Sequence, residues 1–254
     1  MSYNTIVGTD TANEFIVNTT GSDSLVALAG NDTVIGSGGN DVVDLGAGND
    51  LVTLAGDYSG GSVFGGSGND TIYSANGLVS SAFDGGADND SIAFVASSGT
   101  FTSATISGGL ANDTISVSRT LLGSTVYGGG AANGSADGAD SIAVSTVTAS
   151  LIQGNAGADT FNVTGDTTSS TVRGGRDADY ISQVGSVGLS YIAGDLGSDT
   201  IVITGAVASG SSVYGGSLDD TTGDSADSLV FSSGLASVFV QGNAGQDTLF
   251  IGDA

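Results

Sequence analysis

The acids of this chain recur on a beat. Counted at the acid that closes each turn, Glu14, Asp23, Asp32, Asp41 and Asp50 follow one another at nine residues. The steps then lengthen through Asp70, Asp90, Asp113, Asp140, Asp159, Asp179, Asp199, Asp227 and Asp247, running from 19 to 28 residues and most often 20. A fixed period of this size marks stacked copies of one supersecondary unit. It leaves no room for a linker or a second domain, so the expectation is a single repeat solenoid over residues 1–254.

The unit is clearest in Gly36–Asp50, GSGGNDVVDLGAGND, which holds two copies of a glycine-rich turn closed by Asn-Asp and followed by a short apolar strand. Two nine-residue units make one circuit with a glycine turn at each edge. One 20-residue unit makes a similar circuit with a glycine turn at one edge and a Ser/Thr/Gly/Ala loop at the other. Residues 1–54 therefore read as a two-edged part and residues 55–254 as a one-edged part. A long column of acids runs from Glu14 through Asp32, Asp50 and Asp70 to Asp247, while Asp23 and Asp41 form a short opposite column.

Each long unit carries two strands with the period of a half-buried sheet. Before the glycines the inward column reads Val63, Phe83, Ile106, Val126, Ile152, Val172, Ile192, Val213, Val240; after the Asp it reads Ile72, Ile92, Ile115, Ile142, Phe161, Ile181, Ile201, Leu229, Leu249. The spacing predicts an all-β parallel β-solenoid of about twelve two-stranded rungs, a rod roughly 55 Å long. Two turns break the rule. Gly128–Asp140 and Gly215–Asp227 are longer, and each is followed by Gln-Gly-Asn-Ala-Gly, at 153–157 and 241–245. They read as insertions or as extra cation sites using Asp137, Asp140, Asp219, Asp220, Asp224 and Asp227.

Composition narrows the chemistry. Twenty-seven acids stand against three bases, Arg119, Arg173 and Arg176, giving a formal charge of −24. Such acidity argues against nucleic acid and anionic membranes and favours soluble cations. No stretch approaches 18 apolar residues, so no membrane insertion is expected. The chain has no His, Cys or Lys, which removes most acid–base and nucleophile schemes. Every Asp is accounted for by the repeat, so no enzyme is expected. Tyr73, Tyr127, Tyr191 and Tyr214 fall on outward strand positions, as ordinary surface residues or as a sugar-binding stripe.

Calcium takes six to eight oxygen ligands from carboxylates and backbone carbonyls. Glycine reaches the positive φ that turns carbonyls inward, and one Asp per turn supplies charge. The candidate ligands are Asp23, Asp32, Asp41, Asp50, Asp70, Asp90, Asp113, Asp159, Asp199 and Asp247, with the turn glycines Gly39, Gly46, Gly48, Gly66, Gly68 and Gly86.

The units resemble the haemolysin-type RTX calcium repeat, Gly-Gly-x-Gly-x-Asp-x-apolar-x. Gly65-Gly66-Ser67-Gly68-Asn69-Asp70-Thr71-Ile72 and Leu45–Val52 carry the resemblance best, followed by Gly154–Asp159, Gly194–Asp199 and Gly242–Asp247. The resemblance implies a right-handed parallel β-roll with several Ca2+ ions in its turns, in a secreted or cell-surface protein exported by a type I route without a cleaved signal peptide. Departures from the pattern are Asp88, Ala111 and Asp177 at a turn glycine, Arg176 inside a turn where a guanidinium could replace a cation, and Glu14, whose turn lacks glycines. Fewer cations than rungs are therefore expected, densest around Asp23–Asp90.

The functional expectation is a calcium-stabilised extracellular structural protein that assembles with itself, end to end or laterally, into a surface layer, fibre or matrix. The alternatives are a virion fibre or decoration protein, and an adhesin module that binds polysaccharide.

Overall fold

A computed structural model describes residues 4–11, 15–17, 21–36, 39–95, 99–130, 137–217 and 222–252. The described residues form a parallel β-solenoid with three sheets. The first sheet has twelve strands, from Asn4–Val7 through Ser62–Ser67 to Phe239–Gln241, and those after the first lead into glycine-bearing turns. The second, also twelve-stranded, collects the strands that leave those turns, from Phe15–Val17 to Thr248–Ile251.

Every pairing between named strands is parallel, and the registers align the columns read from sequence. Val63, Phe83, Ile106, Val126, Ile152, Val172, Ile192, Val213 and Val240 are successive partners in the first sheet. Ile72, Ile92, Ile115, Ile142, Phe161, Ile181, Ile201, Leu229 and Leu249 are successive partners in the second. These columns are buried except at the final rung, where Leu249 is half exposed. A one-residue slip would turn a whole column to solvent, so the apolar alternation fixes the register.

The third sheet corrects the expectation of two-stranded rungs. Seven two-residue strands, from Tyr58–Ser59 to Val187–Gly188, run along the edge opposite the glycine turns. Their inward column of Tyr58, Leu78, Phe101, Leu121, Val147, Thr167 and Val187 is buried, and Val207 continues it. The middle rungs are thus three-sided. Two-residue strands are too short to show a period, so this column was read as loop. Its Tyr58 and Phe101 join Phe83 of the first sheet and Phe94 of the second in an aromatic run, Tyr58, Phe83, Phe94, Phe101, with ring centroids 5.8, 4.8 and 5.8 Å apart. One polar plug interrupts the column. Buried Gln183 accepts from Thr167 and donates to the Gly165 and Gly185 carbonyls, so every polar atom of its amide is engaged.

The corner entering the first sheet is built from residues that do not advertise a turn. Gly60, Ser80, Ser103, Gly123, Ala149, Ser169, Leu189, Gly210 and Ser237 all have positive φ. Left-handed backbone costs a non-glycine residue roughly 1–2 kcal/mol, and the flanking ladders hold it in place. The long turns also find an explanation. Asp137 accepts from the Ala156 N–H of the following rung, and Asn155 donates to the Gly129 and Gly130 carbonyls. Asp224, Ala244, Asn243 and Gly216 repeat the arrangement. The recurring Gln-Gly-Asn-Ala-Gly is thus the receiving end that pins each inserted turn. Asp219 and Asp220 lie outside the described residues.

Candidate metal centre

At the glycine edge the aspartates form a continuous hydrogen-bonded ladder. The backbone N–H of each Asp donates to Oδ1 of the next rung's Asp, from Asp32 to Asp50, Asp70, Asp90, Asp113, Asp140, Asp159, Asp179, Asp199, Asp227 and Asp247, at 2.7–3.1 Å. The sequence-derived candidates Asp23, Asp32, Asp41, Asp50, Asp70, Asp90, Asp113, Asp159 and Asp199 are all buried, and Asp247 at the last rung is exposed. Asp140 and Asp227, which close the two long turns, and Asp179, not among the candidate ligands, occupy the same ladder and are equally buried. Glu14 lies outside the described residues.

One oxygen of each carboxylate is left over. The Oδ2 atoms of Asp50, Asp70, Asp90, Asp113, Asp140, Asp159, Asp179, Asp199 and Asp227 are buried without a hydrogen-bond donor. The turn glycines pack against them. A Cβ added at Gly65 would collide with Asp70 Oδ2 and with the Gly85 carbonyl oxygen; the same holds at Gly85 for Asp90 and Gly108, at Gly108 for Asp113 and Gly128, and at Gly194 for Asp199 and Gly215. Each rung therefore presses a glycine Cα–H against its own Asp Oδ2 and a carbonyl oxygen of the next rung, and no N–H or O–H reaches that Oδ2. A buried acceptor without a donor costs about 1–3 kcal/mol, more when charged. A cation removes that cost.

The electrostatics point the same way. Burial, with the neighbouring aspartates adding to it, raises the carboxyls of Asp70 and Asp113 to about 7, of Asp90, Asp140 and Asp159 to about 8, and of Asp179 to about 10. The ladder N–H at Oδ1 opposes the rise without cancelling it. A column of such carboxyls ionises at neutral pH when positive charge enters it.

Among the described residues no three carboxylates converge. The oxygen set is instead one carboxylate per rung with backbone carbonyls, the donor chemistry that calcium accepts and softer metals do not favour. The carbonyls are aimed by left-handed glycines: Gly39, Gly46, Gly48, Gly66, Gly68 and Gly86 have φ between 97° and 139°. Where the glycine is replaced the conformation persists, with φ of 74° at Asp88, 75° at Ala111 and 73° at Asp177. Sequence reasoning missed Gly65, Gly85, Gly108 and Gly194, which are required by close approach and not by positive φ.

The residue before each Asp adds a second ladder of opposite polarity in the first half. The N–H groups of Asn49, Asn69, Asn89, Asn112 and Ala139 each donate to Oδ1 of the previous rung's Asn, at 2.7–3.0 Å. It stops where Asn gives way to Ala139. Arg176, whose guanidinium could replace a cation inside its turn, is exposed. Arg173 instead makes a bidentate pair with buried Asp195, at 2.7 and 2.8 Å.

The family pattern described as the RTX calcium-binding nonapeptide repeat (4 copies) matches residues 17–52 and 60–77. The matched residues support calcium binding, and with the parallel solenoid they fit an RTX β-roll protein. No curated protein matches the chain in sequence. Among solved structures, the chain is similar in fold to a hyperactive, Ca2+-dependent, β-helical antifreeze protein from an Antarctic bacterium, with a TM-score of 0.71 and 24% identity, covering 94% of this chain and 83% of that one.

Proposed function

We propose that this chain is a calcium-ordered structural rod that works outside the cell and joins copies into a surface layer, fibre or matrix. The observation that carries the reading is the row of buried aspartate Oδ2 atoms that no hydrogen-bond donor reaches, set among tightly packed glycine turns. Such a rod needs a divalent ion along its length, and extracellular calcium modules bind at about 10⁻⁴–10⁻³ M. Secretion through a type I route agrees with that setting. The protein is held to be non-catalytic, since its buried carboxylates form a ladder and not a cleft. Support for assembly comes from the last rung, where Phe239, Leu249, Phe250 and Ile251 are each at least half exposed. A further rung would cover them, whether from a second copy or from more of the same polypeptide. Sedimentation velocity with calcium at about 5 mM and with chelator separates the cases: calcium-dependent polymers are expected, and a monomer at all concentrations would sink the assembly.

A second reading, ice binding, is favoured by one observation besides the fold likeness. From Thr33 to Thr248 the first outward position of the second sheet holds Thr six times and Ser three times in register. Leu51 and Tyr180 interrupt the file and Tyr73 stands beside it. Thermal hysteresis of the calcium-loaded protein decides: its absence rejects this reading and leaves the structural one standing.

A further inference from the structure

The outer face of the first sheet has a recess that the repeat does not require. Phe64, Asp84, Ser107 and Tyr127 occupy one outward position on four successive rungs. Three rung spacings of about 4.8 Å put the two aromatic residues about 14 Å apart along the rod. Between them the chain places only Asp84 and Ser107, flanked by Ala82, Thr105 and the turn glycines, and a cavity of about 330 Å³ results. That is the size of a small-ligand site. Its rim is apolar and accessible: Phe64 is 43% exposed and Leu110 40%.

We propose that this cradle binds a neutral pyranose unit of a glycan. Aromatic side chains offer flat apolar faces of the kind a pyranose C–H face covers. The half-buried Asp84 carboxylate, held by the Ser107 hydroxyl and the Gly86 N–H, keeps free lone pairs for vicinal hydroxyls. Thr105 and Ser107 add hydroxyls that give or take a hydrogen bond. Anions are disfavoured, because none of the three arginines lines the cavity and the chain carries −24. A purely apolar ligand would leave the carboxylate desolvated and unanswered. A ligand with one apolar face and several neutral donors satisfies both walls and floor.

The test uses the calcium-loaded full chain and saturation-transfer NMR with neutral gluco-, galacto- and manno-trisaccharides. Binding of at least one at roughly millimolar affinity is expected. Tyr127→Ala and Asp84→Asn should each weaken it by about tenfold or more. Tyr214→Ala, on the same face but outside the cavity, should leave it unchanged. Far-UV CD checks that each variant keeps its sheet content, and Phe64→Ala provides a second wall variant should Tyr127→Ala fail to fold. Three outcomes overturn the proposal: no transfer to any trisaccharide at about 10 mM, binding unaffected by Tyr127→Ala, Asp84→Asn and Phe64→Ala, or preferential binding of tetramethylammonium, which would make the cradle a cation–π site. None of these bears on calcium binding or assembly.

Discussion

The two edges of this solenoid solve one problem in opposite ways. Each must satisfy the backbone N–H of the residue that opens a strand, rung after rung. At the glycine edge the acceptor is Asp Oδ1, which leaves Oδ2 buried and unmet from Asp50 to Asp227. At the corner that opens the first sheet the acceptor is serine. The N–H groups of Ala104, Ser124, Ser150, Ser170 and Ser190 donate to the next rung's Ser Oγ at 3.0–3.4 Å. Each hydroxyl then spends its own proton locally, as when Ser150, Ser170 and Ser190 donate to the carbonyls of Thr148, Thr168 and Gly188. A hydroxyl accepts and donates, so the serine edge is complete in itself. A carboxylate only accepts, so the aspartate edge is complete only with a cation or a proton.

The changeover lies between Asp41 and Ser81. In this corner column Asp23 and Asp41 stand first, with the Asp23 N–H donating to Asp41 Oδ1, and Gly61 follows. The space a side chain would take at Gly61 is filled by the Tyr58 ring, whose hydroxyl donates to the Asp41 carbonyl at 2.6 Å. Tyr58 thereby closes the short aspartate column, and the serine ladder starts beyond it.

Chelation should break the comparison most. With EDTA at pH 9 the aspartate edge carries uncompensated charge while the serine edge is untouched, so we expect melting to fall by tens of degrees or the sheet signal in far-UV CD to vanish (the stability at stake is only about 5–15 kcal/mol). Acid should partly replace calcium. The folded carboxyls sit at about 7 for Asp70, 8 for Asp90 and 10 for Asp179, above the ordinary 3.8. The folded chain therefore holds protons more tightly than the unfolded one. That stabilisation is full below about pH 4 and is lost as pH rises through about 7 to 10. Melting in EDTA should be higher at pH 5 than at pH 9, with the calcium-induced gain following the reverse order; equal melting at both pH values would contradict the ladder electrostatics.

Ser150→Ala should cost about 1–3 kcal/mol, because it strands the buried Ser124 N–H, whereas the Thr148 carbonyl keeps the Gly123 N–H. The loss should be the same with calcium and with EDTA, as measured by denaturant melts. Asp159→Asn should act the other way in the two conditions. Its amide keeps an acceptor for the Asp140 N–H and removes the buried charge, stabilising the metal-free form by about 1 kcal/mol while reducing the calcium titration by one rung's share. Smallest and opposite in sign, Leu189→Gly should stabilise the rod by up to about 1 kcal/mol. Leu189 pays for φ +52° with its side chain 65% exposed, and the gain should not depend on calcium.

Much of this was legible before any coordinate. The two long columns, the parallel register and the aspartate ladder follow from a strict period and an apolar alternation. The third sheet did not, because Leu78–Val79 and its neighbours are two residues long. Nor did the serine ladder, since Ser150 and Ser170 look like loop residues until the rung below supplies an N–H. Asp140 and Asp227 read from sequence as parts of insertions or extra cation sites and Asp179 does not stand out as a ligand, yet left-handed Asp177 shows that side chains can stand in for glycine without moving the Asp179 carboxylate out of line.

The sequence by itself determined what repeats: the step, the strand pattern, the one-acid-per-turn chemistry and, through its residues 17–52 and 60–77, calcium. Only the tertiary structure decided which oxygens are left without a proton. That property belongs to no single turn. It arises when one rung is laid on another, so that Asp Oδ1 meets a backbone N–H while Oδ2 is packed against a turn glycine and meets no donor, and the same stacking at the other corner lets a serine hydroxyl satisfy both sides.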